Sequence, residues 1–126
     1  EEPLIIARLE YNFVIMNRYP YNSGHILIAP YRHIGDIASL SKEELYEMSD
    51  ICVKGKELLQ KIMFPDGFNI GFNLGIAAGA GVADHIHMHI VPRWVGDTNF
   101  MPVIGDTRVV PEAIEKTAEL LRSEWR

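Results

Sequence analysis

The 126-residue chain has a single cysteine, no long apolar run and no excess of positive charge. One cysteine excludes an intrachain disulfide and suits a reducing, cytoplasmic compartment. The longest apolar run is far below the roughly 20 residues that a transmembrane helix needs, so we predict no membrane association. A net charge of −5 argues against nucleic-acid binding, which needs a basic face. No secretory signal, repeat or linker is visible, and the length predicts one domain over residues 1–126.

Three of the five histidines stand at alternate positions in the run His85-Ile86-His87-Met88-His89-Ile90-Val91. A β-strand turns successive side chains to opposite faces, so the imidazoles are predicted to line one face while the intervening apolar residues are buried on the other. Three titratable rings on one face indicate either a metal site or an anion that is handled by acid–base and nucleophilic chemistry.

A segment rich in glycine, Asn73–Val82, precedes the histidines. Glycine lets backbone N–H groups approach a ligand closely, and successive N–H groups form anion-binding nests. A metal site would instead need a carboxylate or thiolate ligand, and Asp84 has the strand parity that points away from the histidines. The combination favours a phosphate-like group over a metal.

In these features the chain resembles the histidine triad (HIT) proteins, which are nucleotide hydrolases and transferases. The triad run is similar to the family pattern His-φ-His-φ-His-φ-φ, in which φ is apolar, and the segment Asn17–Pro30 and Asn73 agree with it in family order. The tail Val91–Pro102 resembles the bacterial branch related to diadenosine polyphosphate phosphorylases. The resemblance covers the chain from about Leu4 to Pro111.

The resemblance implies a role for each of four histidines. His87 would attack the α-phosphorus and become a transient nucleotidyl-histidine, its other ring nitrogen being held by a backbone carbonyl; a neutral imidazole is a good nucleophile near neutral pH. His89 would contact the phosphate oxygens. His85 and His25 would form a hydrogen-bonded relay that helps to protonate the leaving group.

The resemblance also implies a nucleotide-binding pocket. Its residues would be Asn17 for the ribose hydroxyls, Ile15 and Leu27 as apolar walls for the base, and Asn73, His89 and the amides of Gly79, Ala80 and Gly81 for the phosphates. Taken alone, several of these positions have plainer interpretations: Asn17 fits a turn, His25 an exposed strand residue, and Ile15 and Leu27 ordinary core positions.

Zinc is not predicted. Many zinc-bearing HIT proteins have an N-terminal Cys-x-x-Cys pair that acts with two histidines, at the positions of His33 and His85 here. This chain has only Cys52, within a predicted helix, where a small core residue is the expected role. Two histidines are half of a tetrahedral site, so we expect His33 to be exposed. No cofactor is predicted to be required, although a divalent cation bound to the substrate phosphates is compatible with the sequence.

The pattern of apolar and turn residues predicts an α+β fold of the HIT type: an antiparallel sheet of about five strands, with a long helix and a C-terminal helix on one side. The long helix begins near Ser41, in a capping-box sequence, and ends at Pro65. The predicted strands are Leu4–Glu10, Asn12–Asn17, His25–Ala29, Phe68–Asn73 and Asp84–Pro92. The predicted helical stripes are Leu45, Met48, Cys52, Leu59 and Ile62, and, after Pro111, Ile114, Ala118, Leu121 and Trp125.

These features predict an enzyme that splits a dinucleoside polyphosphate such as diadenosine tetraphosphate, with phosphate or water as the acceptor. Some phosphorylases have glutamine where this chain has His89, which leaves the acceptor open. The alternatives are a phosphoramidase acting on adenylylated lysine, a nucleotide-binding regulator with incidental turnover, and a metal-binding protein that uses the triad as ligands. The resemblance implies a homodimer. Residues 96–110 contain the further candidate contacts Asp97, Asn99, Thr107 and Arg108.

Overall fold

In a computed structural model, residues 3–78, 85–97 and 111–125 are described, and they form a five-stranded antiparallel sheet and two α-helices. The strands are β1 (Ile5–Arg8), β2 (Asn12–Met16), β3 (Ile26–Pro30), β4 (Gly67–Phe72) and β5 (Met88–Arg93), and the helices are α1 (Lys42–Met63) and α2 (Pro111–Glu124). The strand order is β1-β2-β3-β5-β4, and each neighbouring pair is antiparallel. The predicted α+β fold class is confirmed.

Helix α1 begins at the predicted capping box. The Ser41 side chain accepts a hydrogen bond from the Glu44 backbone N–H at 3.0 Å, and the Glu44 carboxylate accepts one from the Ser41 N–H at 2.7 Å. At the other end, Phe64 adopts the left-handed conformation (φ 54°) ahead of Pro65, which has no N–H to continue the helix. The predicted helix limits are therefore confirmed.

The buried stripe of α1 differs from the predicted one. Leu45, Cys52 and Ile62 are only half-buried, whereas Ile51 and Gly55 are buried. A Cβ atom at Gly55 would lie 3.1 Å from Ile26 Cδ1, so the missing side chain lets the helix lie close to β3. The residues of α1 that are buried are Glu44, Met48, Ile51, Gly55 and Leu59.

Both helices pack on one face of the sheet. The residues of β2, β3 and β5 that turn toward them, such as Val14, Ile28 and Ile90, are fully buried. Helix α2 contributes its predicted stripe to the same core, with Trp125 packed at the margin: Ile114, Ala118 and Leu121. The opposite face of the sheet has polar side chains, such as His89, beside apolar ones, such as Leu27.

The histidine triad lies only partly on a strand. Strand β5 begins at Met88, not at Asp84 as predicted, so His85 and His87 lie in the segment that precedes it, and Asp84 itself lies outside the described residues. The predicted alternation is nevertheless confirmed, because Ile86 is buried while the histidines on either side of it are half-buried. The alternation needs only an extended backbone, not a hydrogen-bonded partner strand.

Candidate active site

A row of residues crosses the sheet on the face away from the helices. Ile15 pairs with Leu27, Leu27 pairs with His89, and His89 pairs with Gly71. Directly paired residues point to the same face, so the two predicted apolar walls and one triad histidine are neighbours. Gly71 has no side chain beside the His89 ring, which leaves space on the β4 side.

The geometry of His87 leaves one ring nitrogen available for attack. Its Nδ1 lies 3.0 Å from the backbone carbonyl oxygen of His85. A carbonyl oxygen only accepts, so Nδ1 has the proton and Nε2 has the lone pair. The carbonyl partner that the family resemblance implied is confirmed. The His87 ring also lies 4.8 Å from the His89 ring, measured between centroids.

His25 is fully buried and hydrogen-bonded to His89, with 2.8 Å between His25 Nε2 and His89 Nδ1. The Tyr21 backbone N–H donates to His25 Nδ1 at 3.1 Å. Because this N–H can only donate, Nδ1 of His25 is the acceptor and its Nε2 has the proton. That proton is donated to His89 Nδ1, which leaves the His89 proton on Nε2, turned toward the site.

Burial keeps this pair neutral. It lowers the pKa of His25 from 6.5 to about 3, with smaller contributions from the neighbouring His89 and His87. The pKa of His89 is lowered by burial and by His87. A buried ring without an acidic partner favours its uncharged form. The His25–His89 pair therefore contributes uncharged donors and acceptors to the site.

The predicted relay between His85 and His25 is wrong in its partners. His85 Nε2 lies 3.0 Å from the carbonyl oxygen of Pro30, and its ring lies 5.0 Å from that of His33. The histidine bonded to His25 is His89. The His85 ring therefore lies at the end of β3, a contact between distant segments that strand periodicity could not reveal. His33 is exposed, as predicted.

The two predicted asparagines lie on opposite sides of the histidine pair. Asn73 Nδ2 is 3.5 Å from His89 Nε2, and Asn17 Nδ2 is 3.3 Å from His25 Nδ1. Because His89 Nε2 has a proton, the Asn73 amide satisfies it when its oxygen faces the ring. Asn17 also accepts from the Tyr19 N–H through Oδ1 at 2.9 Å, so it closes a turn as well as touching the site.

A pocket of about 370 Å³ lies beside His89, and sequence reasoning did not predict most of its polar lining. Arg93 lies on its wall, where Nε and Nη2 donate to the two oxygens of Asp97 at 3.1 and 2.8 Å and Nη1 donates to Asn69. The Arg93 guanidinium holds the pKa of Asp97 well below its usual range. Parity could have found Arg93, because it lies an even number of residues from His89 along β5.

Tyr21 is the second contributor that sequence reasoning missed. Its ring lies 5.1 Å from His25 and 6.2 Å from His89, and its backbone sets the tautomer of both. Gly24 (φ 80°) shapes this loop, since a Cβ there would lie 3.1 Å from Pro92 Cγ. Asn22 donates a hydrogen bond to Asp97 and so connects the loop to it. The candidate contact Asp97 therefore holds the loop and Arg93 in position. The other candidates lie outside the described residues: Gly79, Ala80, Gly81, Asn99, Thr107 and Arg108.

Within the described part of the chain, no group of three or more histidine, cysteine or carboxylate side chains could hold a metal ion. His33 and His85 approach each other without a third such ligand in that part of the chain. Neither described helix has the length and apolar character that a bilayer crossing requires.

Comparison with known proteins places these features in a family. The family model described as HIT domain matches residues 2–95. Over 125 residues the chain is 40% identical to AP-4-A phosphorylase of Mycobacterium tuberculosis H37Rv, covering 99% of this chain and 64% of that protein. It is 29% identical over 93 residues to the asymmetrical bis(5'-nucleosyl)-tetraphosphatase of Schizosaccharomyces pombe, covering 74% of this chain and 50% of that one. The chain thus spans about two thirds or less of these relatives.

The fold is shared with a solved structure. The chain is similar to Plasmodium falciparum diadenosine triphosphate hydrolase in complex with Cyclomarin A, with a TM-score of 0.83 and 24% identity, covering 98% of this chain and 77% of that chain. At this identity the likeness concerns the fold alone.

Proposed function

Because this chain belongs to the HIT-domain family, we propose that it cleaves a dinucleoside polyphosphate, such as diadenosine tetraphosphate, through a nucleotidyl intermediate on His87. The observation that carries the proposal is the bond from His87 Nδ1 to the His85 carbonyl, which directs the lone pair to Nε2. Similarity to an AP-4-A phosphorylase and to a bis(5'-nucleosyl)-tetraphosphatase supports this substrate class.

In the first step, His87 Nε2 attacks the α-phosphorus. The bond from that phosphorus to its bridging oxygen breaks, and the bridging oxygen leaves with the electron pair as part of a nucleoside triphosphate. The positive charge that develops on the imidazole is stabilised by its Nδ1–H bond to the His85 carbonyl. The Nε2–H of His89 donates to a phosphate oxygen, and such positioned donors are a major source of catalysis.

In the second step, an oxygen of inorganic phosphate or of water attacks the same phosphorus. The phosphorus–nitrogen bond breaks, its electron pair returns to His87 Nε2, and the acceptor oxygen loses its proton. With phosphate the products from diadenosine tetraphosphate are ADP and ATP; with water they are AMP and ATP. Both reactions use the same nucleophile.

We propose that the nucleoside lies along the row that leads from His89 to Ile15. Leu27 and Ile15 are half-buried neighbours on this face and would contact the base. Asn17 would reach the ribose hydroxyls from the end of β2. The amides of residues 79–81 are proposed as further phosphate donors.

We also propose a homodimer. Among the described residues, β4 is an edge strand of the sheet, and its Ile70 has 46% of its surface exposed although it pairs with the fully buried Ile90. An exposed apolar residue at a sheet edge favours pairing with another chain. Light scattering should therefore give a dimer, and Ile70→Asp should shift it toward monomers, whereas Val95→Asp, at a residue 90% exposed, should not.

The remaining proposals concern organisation and location. Residues 1–126 would act as one HIT domain. The single cysteine, Cys52, suits a reducing cytoplasm. Proteolysis that leaves one resistant core, and cell fractionation, would test these two points.

The decisive experiment is product analysis with diadenosine tetraphosphate, with and without inorganic phosphate. We expect cleavage by the wild type, a loss of at least about 10³-fold for His87→Ala, and no such loss for His33→Ala, the matched control at an exposed histidine. ADP with ATP would identify a phosphorylase, and AMP with ATP a hydrolase. Cleavage that is indifferent to His87 would contradict the proposal. Absence of cleavage in the wild type would also contradict it and would favour adenosine 5'-phosphoramidate as substrate.

A further inference from the structure

We infer that the pocket beside His89 binds a tetrahedral phosphate group through Arg93 and Asn69, and this inference rests on the function proposed above. The described residues around the pocket include one formally charged side chain, that of Arg93. The other polar side chains are neutral donors or acceptors: Tyr21, Asn69, Asn73 and His89. Asp97, which bonds to Arg93, does not line the pocket. The described lining therefore has a positive charge and no carboxylate.

The guanidinium of Arg93 is held in one orientation. Asp97 accepts from Nε and Nη2, and Asn69 Oδ1 accepts from Nη1. A guanidinium has five N–H donors, so one N–H on each Nη atom remains for a ligand. Because Asn69 Oδ1 accepts from Arg93, the amide's own N–H groups are left to donate. Planar, preorganised donors of this kind suit phosphate oxygens.

The guanidinium also lies near the reacting groups. Asn69 pairs with Val91 across the sheet, and Gly71 pairs with His89. The Arg93 head, bonded to Asn69, is therefore folded back along β5 to a level about 7 Å from that of His89, the rise of two strand residues. This separation lets His89 and Arg93 contact different phosphate groups of one chain, or the α-phosphate and an acceptor phosphate.

Two sources of phosphate share this chemistry. One is the departing nucleoside triphosphate, whose distal phosphates would occupy the pocket before the first step. The other is inorganic phosphate, which would occupy it afterwards and attack the α-phosphorus, forming the phosphoanhydride of ADP as the bond to His87 breaks. Since the acceptor enters where the leaving group was, one anion site serves both.

The test uses Asn69→Asp, which places a carboxylate beside Arg93 while leaving the Arg93–Asp97 pair in place, and Arg93→Gln, which removes the charge. Gln60→Glu, on the exposed side of α1, is the control for net charge. Three constants are measured: KM for diadenosine tetraphosphate, KM for adenosine 5'-phosphoramidate, and the saturation constant for inorganic phosphate. Diadenosine tetraphosphate has distal phosphates and the phosphoramidate has none.

We expect both pocket variants to raise a phosphate-dependent constant by at least about tenfold, with KM for the phosphoramidate and all constants of Gln60→Glu within about twofold of wild type. A rise confined to diadenosine tetraphosphate would identify the departing phosphates as the ligand. A rise confined to inorganic phosphate would identify the acceptor. If neither constant changes while cleavage still depends on His87, the pocket inference is overturned and the proposed function stands.

A binding measurement separates the inference from turnover. In heteronuclear NMR spectra titrated with inorganic phosphate, we expect a saturable shift of the Arg93 Nε–H resonance in the wild type and its loss in Asn69→Asp. This readout decides the inference even if diadenosine tetraphosphate is not a substrate. An Arg93 resonance that ignores phosphate in the wild type would overturn it.

Discussion

Two pairs of histidines in this molecule have opposite surroundings. His25 and His89 form a buried, hydrogen-bonded pair whose protons are ordered by the Tyr21 backbone N–H. His33 and His85 lie equally close as rings, 5.0 Å apart, but His33 is exposed and His85 bonds to a backbone carbonyl instead of to a histidine. Proximity alone therefore does not define the chemistry of a histidine. What defines it is burial and the partner of the second ring nitrogen.

Of the substitutions considered, removal of the buried His25 should have the largest effect on stability and activity. His25→Ala leaves a cavity and two unpaired groups, the Tyr21 N–H and His89 Nδ1. We expect the free energy of unfolding to fall by about 3 kcal/mol and nucleotide cleavage to fall by about 10²-fold or more. Urea denaturation and kcat measured below the melting transition separate the two effects. A fully active, equally stable variant would show that the pair is incidental.

The pH dependence of stability should follow the buried pair. The pKa of His25 is about 3 in the folded chain and 6.5 in the unfolded chain. Between these two values the unfolded chain binds a proton at His25 and the folded chain does not. The associated stability is present above pH 6.5 and is lost as pH falls, by up to about 1.4 kcal/mol per unit. His89 acts in the same direction.

The pH range in which His25 changes stability differs from the range in which Glu44 does. Glu44, whose pKa falls to about 2 because of Arg32, loses its contribution only below its ordinary value of 4.5. Urea midpoints between pH 6.5 and 4.5 should therefore fall for the wild type and flatten in His25→Gln. Equal slopes for the two proteins would mean that His25 is protonated in the folded state.

Two substitutions of Tyr21 should have smaller effects, and together they distinguish the contribution of its ring from that of its backbone N–H. Tyr21→Ala keeps the N–H and loses the stacking, at a cost of about 1 kcal/mol. Tyr21→Pro also removes the donor, so His25 and His89 should lose their tautomer preference. Long-range ¹H–¹⁵N spectra of the wild type should show Nε2–H for His25 and His89 and Nδ1–H for His87. The opposite assignment for His25 would contradict the proposed proton order.

The smallest effect is expected at the exposed pair. His33→Ala removes an exposed ring that lies 5.0 Å from the ring of His85, and we expect stability to change by no more than about 0.5 kcal/mol. Thermal melting and the cleavage assay above measure this. A large loss of stability would show that the exposed pair is as constrained as the buried one.

Much of the fold could be predicted because its signals are local. Ser41 and Glu44 form the capping box within one helical turn, and Pro65 stops the same helix by its own covalent structure. The alternation of His85, Ile86 and His87 needs only an extended backbone. The prediction of which α1 residues are buried was less accurate. Ile51 and Gly55 are buried because of how the helix packs on β3, and no local sequence pattern contains that information.

The candidate site divides in the same way. The resemblance named the four histidines, and cross-strand register brings His89 beside Leu27 and Ile15 as the proposed pocket requires. The partner of His25 was mistaken, and Arg93 was given no role. Both depend on contacts between segments far apart in the chain.

By itself the sequence determined the strand and helix pattern, the spacing of the triad and the family, because these follow from neighbouring residues and from periodicity. Only the tertiary structure decided which histidine receives the proton of His25, how far burial lowers its pKa, and which arginine faces the pocket. Those properties arise from hydrogen bonds and desolvation between strands that meet only after folding.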